Sequence, residues 1–141
     1  MAKPPLTMDL AWTGGLTFAA DAAHGRHLVT DGDSKAGLSP MELLAAATAG
    51  CMAVDIVHIL TRSRQDVKGL RAHFRGERAE TEPHRLTAVR VEFDIEGTVA
   101  QPQLDRAVQL SRDKYCSVWN SLREDITLEV VTRVQAAAAV S

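Results

Sequence analysis

The chain has 141 residues, 45% hydrophobic and 24% charged, the make-up of a globular protein with a single core. Its 16 basic and 18 acidic residues are well mixed and leave a formal net charge of −2. That excludes the electrostatic footprint of a nucleic-acid or anionic-membrane binder. The opening "MAKPPLTMDL" has a lysine and two prolines but not the apolar run of a signal peptide.

Taken in chain order, Leu6, Met8, Leu10 and Trp12 alternate with polar or small residues, the pattern of a half-buried strand. Gly14 and Gly15 supply the positive φ of a tight hairpin turn, and "LTF" at 16–18 resumes the strand. A third, weaker strand is expected over His27 to Thr30. The turn-rich "DGDSKAGLSP" at 31–40 then reads as a loop. "SPME" marks a helix start: Ser39 as N-cap, Pro40 at the first helical position and Glu42 three residues after the cap. The helix is predicted to run to about Thr61, where "RSRQD" breaks it. Its uncharged stretch, Leu43 to Val54, is twelve residues long. A membrane span needs about 20, so a cytoplasmic chain is expected.

Leu70, Ala72 and Phe74 then alternate with Arg71, His73 and Arg75. Beyond the polar "ETEPHR", Val89, Val91, Phe93 and Ile95 alternate with charged residues, which predicts a long antiparallel hairpin with one wet face. Residues 101–124 are expected to be helical, with Leu104, Ala107, Val108 and Leu110 or Ser111 on one stripe and a bend near Tyr115. A strand over 126–134 and a tail, "QAAAAVS", expected to fray, close the chain.

The order predicts a single α+β domain over 1–141 with mostly antiparallel pairing. The first long helix is apolar on nearly every face. One sheet layer from so small a chain cannot wrap it, so a homodimer whose sheets enclose both long helices is expected.

"LSPMELLAAATAGCMAVDIVHIL" followed by "DKYCSV" resembles the family of osmotically inducible protein C and the organic hydroperoxide resistance proteins, in its OsmC-like branch. The likeness runs over about residues 25–135 and includes the proline, the "ELL" run, both cysteines and the intervening "GERAETEPHRL". It implies an intertwined homodimer, with antiparallel sheets wrapped around two long central helices. It also implies thiol-dependent reduction of organic hydroperoxides: Cys51 attacks the O–O bond and Cys116 resolves the product as a disulfide. A dithiol reductant would reset the pair, with no metal and no bound cofactor. The expected substrate pocket is apolar, lined by alanine, leucine and methionine.

In the peroxidases of this family an N-terminal arginine supports the thiolate, and Arg26 in "HGRH" is the matching candidate. A solvated loop arginine is the plainer alternative. There the arginine is oriented by a glutamate directly after the proline, ten residues before the cysteine. This chain has Met41 at that place, and Glu42 falls one residue later, where the capping box already explains it. Asp55, one turn after Cys51, would repel a thiolate unless paired. It is expected to bond something across the dimer or to cap a partner, an arginine or Lys114 being candidates. His58 reads as a structural histidine or a proton acceptor, and Trp12 and Trp119 as core or dimer-interface anchors. A non-catalytic binder of a small apolar or electrophilic molecule in the dimer groove stands as the second reading. Packed, unreactive cysteines are the plainest one.

Overall fold

The computed structural model describes residues 2–137. The last four residues of the expected fraying tail lie outside them. The chain forms two compact units, one ending at Leu44 and the other beginning at Ala45.

The first unit holds the antiparallel meander β1 (Asp9–Gly14), β2 (Thr17–Asp21) and β3 (His27–Asp31). Gly14 and Gly15, at φ 124° and 56°, make the first turn, where the Trp12 ring N–H donates to the Gly15 carbonyl at 3.0 Å. β1 begins at Asp9 and not at Leu6, which is almost fully exposed. Trp12 is 68% exposed, so in this chain it is not a core anchor. The loop after β3 is organised by the buried Asp31. Its carboxylate accepts from the backbone N–H groups of Asp33 and Ala36 at 2.9 Å each, and from that of Lys35 at 3.4 Å. These bonds, that to Ala36 foremost, hold the carboxyl below its ordinary pKa.

Helix α1 (Pro40–Arg62) starts on the expected reciprocal cap. The Ser39 N–H donates to Glu42 Oε1 at 2.9 Å, and the Glu42 N–H donates to Ser39 Oγ at 3.2 Å. Its 23 residues rise about 35 Å. By length and composition alone it is long and apolar enough to cross a membrane.

The second unit is built on the sheet β4-β5-β6. β4 (Asp66–Arg78) and β5 (Leu86–Thr98) form the long antiparallel hairpin. On β5, Val89, Val91, Phe93 and Ile95 are buried, while Arg90, Glu92 and Asp94 face an ion-pair ladder with Glu129 and Arg133. β6 (Thr127–Gln135) pairs with β5 in parallel, the one such pairing among the described strands, so the sheets are mostly antiparallel as expected. The cause is connectivity: the chain crosses over through a helix between the two strands, as parallel neighbours require. Thr48, Met52, Ile56 and Leu60 of α1, spaced four apart, join β5 and Leu104 and Ala107 of the second helix in the core. Each fully buried large side chain contributes about 1.5–3 kcal/mol.

That second helix is shorter than predicted. α2 (Gln101–Leu110) is regular, and Ser111–Tyr115 widens into a π-turn. Cys116 follows in an extended conformation (φ −71°, ψ 100°), so it sits at the joint beyond the helix and not within it. A short 3-10 turn, Trp119–Ser121, leads on towards β6.

Candidate functional site

Cys51 lies midway along α1, with Asp55 one turn later on the same face. Cys51 is half-buried and Cys116 fully buried, and both thiols are free. The fold brings the two sulfurs and a carboxylate oxygen of Asp55 to within 4.8 Å of one another. The cysteines are 65 positions apart in the sequence.

The π-turn explains how Cys116 reaches this place. The Cys116 N–H reaches back to the Ser111 carbonyl at 2.7 Å, the long bond that widens the turn. The Asn120 side-chain amide donates to the Cys116 carbonyl at 2.8 Å and to the Arg112 carbonyl at 3.1 Å, which pins the joint. The Trp119 N–H points at Cys116 Sγ from 3.3 Å. Burial pushes the Cys116 thiol up to about 11. The Trp119 N–H opposes that rise, while the hydrogen bond to Cys51 and the negative charge of Cys51 and Asp55 add to it. Cys116 therefore holds its proton at neutral pH.

Among the described residues of this chain, Asp55 is engaged by neither an arginine nor Lys114. Its Oδ2 accepts from Ser111 Oγ at 2.8 Å, within the same chain, and Lys114 lies over the Tyr115 ring at 5.3 Å. A neutral hydroxyl suffices because Ser111 is fully buried and has no water to compete with the carboxylate. Ser111 and Asn120 were not singled out as site residues from the sequence. The available signal was a serine on the apolar stripe of a helix, which must find a buried partner.

Two hollows open beside this helix. One, of about 620 Å³, is lined by Asp55, His58, Arg62, Arg106, Leu110 and Tyr115 among others. The second, of about 570 Å³, is lined by Ala53, Val54, Val57, His58, Thr61 and Leu70. The hollow at Asp55 is charged, whereas the second is apolar, with Ala53 and Leu70 in its lining. His58 is exposed between the two, and so is not a packed structural histidine within this chain.

Arg26 belongs to the first unit, where it is exposed and its Nε donates to the Ala23 carbonyl at 3.1 Å. His24, at φ 64°, and Gly25 turn the chain just before it. His27 pairs with Asp21 at 2.7 Å. Glu42 is committed to Ser39 and to Ser34 Oγ, at 2.6 Å, bonds that hold its carboxyl below the ordinary range.

Residues 31–131 match the family described as OsmC-like protein, a segment that holds both cysteines and begins after Arg26. The chain is 37% identical to protein YhfA of Escherichia coli over 119 residues, which cover 83% of this chain and 89% of that one. A hypothetical protein from Aquifex aeolicus superposes with a TM-score of 0.88 at 29% identity, over 96% of this chain and all of that one. An organic hydroperoxide resistance protein from Legionella pneumophila shares the fold with a TM-score of 0.69 at 16% identity, covering 94% of this chain and 98% of its own.

Proposed function

The chain belongs to the OsmC-like protein family, and from that premise we propose that it is a cytoplasmic, thiol-dependent peroxidase acting on organic hydroperoxides as a homodimer. The observation that carries this reading is the approach of two free sulfurs, remote in sequence, to within 4.8 Å.

Cys51, the more accessible of the two, is the nucleophile. Its thiolate attacks the terminal oxygen of the hydroperoxide: an S–O bond forms, the O–O bond breaks, and the alkoxide leaves as the alcohol after taking a proton. The sulfur loses the two electrons that the peroxide gains, and becomes a sulfenic acid. Cys116, held as a thiol by its burial, then attacks Cys51 Sγ. The S–S bond forms, the S–O bond breaks, and hydroxide leaves as water with the Cys116 proton. A dithiol reductant returns the pair to its starting state by exchange. Sulfur alone carries the electrons. Arg26 is assigned the electrostatic support of the Cys51 thiolate.

The homodimer is supported by what α1 leaves uncovered. Of its 23 residues only Thr48, Ala49, Met52, Ile56 and Leu60 are buried, while Val54 is 69% exposed. Gly50, next to the nucleophile, has nothing within 4 Å of where a Cβ would stand. A mid-helix glycine costs about 1 kcal/mol relative to alanine, a cost that close approach of a second backbone would explain.

A second reading is favoured by one observation. Met41 stands where the peroxidases have a glutamate, and Glu42 Oε1 is taken up by Ser34 and the Ser39 cap. A protein that holds a small apolar or electrophilic molecule without turnover needs no such glutamate.

One equivalent of cumene hydroperoxide added to the reduced protein separates the two. Turnover requires rapid loss of two thiols as a disulfide in the wild type, a trapped oxidised sulfur in Cys116→Ser and no fast reaction in Cys51→Ser. Equal, slow oxidation of all three proteins would leave binding as the reading. Arg26→Ala tests the arginine: its assignment requires at least a tenfold slower first oxidation at neutral pH, restored in part by Arg26→Lys.

A further inference from the structure

We infer that the reduced Cys51–Asp55–Cys116 cluster is a binding site for a borderline-soft divalent cation, zinc foremost. This inference rests on the cluster alone and not on the peroxide reading.

The three donor atoms lie within 4.8 Å of one another. Two thiolates at about 2.3 Å from a tetrahedral zinc stand about 3.8 Å apart, and thiolate and carboxylate stand closer still. Closing the cluster on a metal therefore takes a contraction of at most about 1.0–1.3 Å, within the reach of side-chain rotation. Two of the ligands come from one helix at i and i+4, the spacing by which a helix face presents a ligand pair to zinc. The third comes from the joint after the π-turn, which is why no spacing along the chain announces the set.

The outer partners that a metal site needs are in place. Ser111 Oγ donates to Asp55 Oδ2 at 2.8 Å and leaves the other carboxylate oxygen for a metal. The Trp119 N–H, 3.3 Å from Cys116 Sγ, disperses charge from that sulfur once it is a thiolate. Ser111 is fully buried, so its hydroxyl is held to this task. The donor set names the cation. Two thiolates exclude magnesium and calcium, and the carboxylate with a nearby polar opening suits zinc better than copper(I). Asp55 also lines the hollow of about 620 Å³, from which water would complete the coordination. Three protein ligands and one exchangeable water describe an open site and not a closed structural one.

Binding replaces the two thiol protons, which leave to solvent, and changes no oxidation state. Both sulfurs serve the metal or the disulfide, never both at once. The metal form and the oxidised form are therefore mutually exclusive.

Cobalt(II) is the probe, added to the reduced, metal-stripped full chain without oxygen. The expected result is one equivalent per chain with sulfur-to-cobalt charge-transfer bands and the intense visible bands of a tetrahedral site, bleached by zinc. Cys51→Ser and Cys116→Ser should each lose the charge-transfer bands or halve them. Asp55→Asn keeps the size of the side chain and should weaken cobalt binding at least tenfold. Ser111→Ala leaves every ligand in place and should weaken it by a smaller factor. If Asp55→Asn does not fold, judged by circular dichroism, the Ser111→Ala result decides alone. Absence of charge-transfer bands at millimolar cobalt overturns the inference, and so does cobalt affinity unchanged in the folded aspartate or serine variant. A wild type that reduces hydroperoxide yet takes no cobalt would sink this inference and leave the peroxide reading standing.

Discussion

The two sheets of this chain are written in the same alternating code and come to opposite ends. On β5, Val91, Phe93 and Ile95 are wholly buried. On β1 and β3 of the first unit, Leu10, Trp12, Leu28 and Val29 range from 38% to 68% exposed. β5 is the middle strand of its sheet and shares its unit with most of α1 and all of α2. The β1–β3 meander is held chiefly by its own turns, by its ladder and by the bonds around Asp31. Alternation says that a strand has an apolar face; what covers the face is a separate matter.

The sharpest way to test that contrast is a pair of truncations. Phe93→Ala removes a fully buried ring and should cost about 3–5 kcal/mol in chemical denaturation. Trp12→Ala removes an exposed one and should cost the dilute, monomeric chain no more than about 1 kcal/mol, part of it the lost bond to Gly15. If a second copy covers the first sheet, the same tryptophan becomes an interface anchor. Trp12→Ala should then weaken dimerisation by about 2 kcal/mol, a roughly 30-fold rise in dissociation constant by analytical ultracentrifugation. An unchanged dissociation constant would leave β1 outside the interface.

Gly50→Leu probes the same contrast on α1. In the isolated chain the added Cβ has nothing within 4 Å, and helix propensity favours the leucine by about 0.5–1 kcal/mol. Against a close-packed partner helix it should break the dimer. A melting temperature that rises on dilution below the dissociation constant and falls at high concentration, relative to wild type, is the expected pattern.

These elements also show where sequence reading stopped. Strand alternation, the hairpin glycines and the reciprocal cap at Ser39 and Glu42 are local, and each was legible because its partners lie within a few residues. The parallel seating of β6 was not, since a strand's pattern is the same in either direction. Nor was the end of α2, where Ser111–Tyr115 keep helical composition and the Ser111 hydroxyl bonds Asp55, 56 residues away. Both cysteines were chosen from a family likeness. The bond from Ser111 to Asp55 was not legible, because a helical wheel cannot show what stands opposite a residue.

A smaller effect tests the loop that opens the way from β3 to α1. The Asp31 carboxyl titrates below its ordinary value because the backbone N–H groups of Ala36 and Asp33 bond to its charged form. A depressed value means that the folded state prefers the anion. The stabilisation is therefore complete above the unfolded pKa near 3.8 and is lost as the pH falls through the folded one. By hydrogen exchange, the amides of Asp33 and Ala36 should be protected in the wild type and unprotected in Asp31→Ala. The amides of β5 should be unchanged.

A further effect lies at the opposite end of the pH scale and bears directly on the thiol pair. Cys116 is raised from 9.0 to about 11, so the fold prefers its neutral thiol. The unfolded chain releases this proton first, and the difference in bound protons makes stability fall as the pH rises from about 9 to 11, with nothing lost below that window. Thermal melts of the reduced protein should show this alkaline slope, and Cys116→Ala should remove its share of it. The same burial predicts the order of alkylation. Under native conditions iodoacetamide should modify Cys51 well before Cys116, and denaturant should abolish the difference. Equal rates in the folded protein would mean that the joint after the π-turn opens freely, and Cys116 would then lose the shelter that keeps it a thiol until Cys51 has been oxidised.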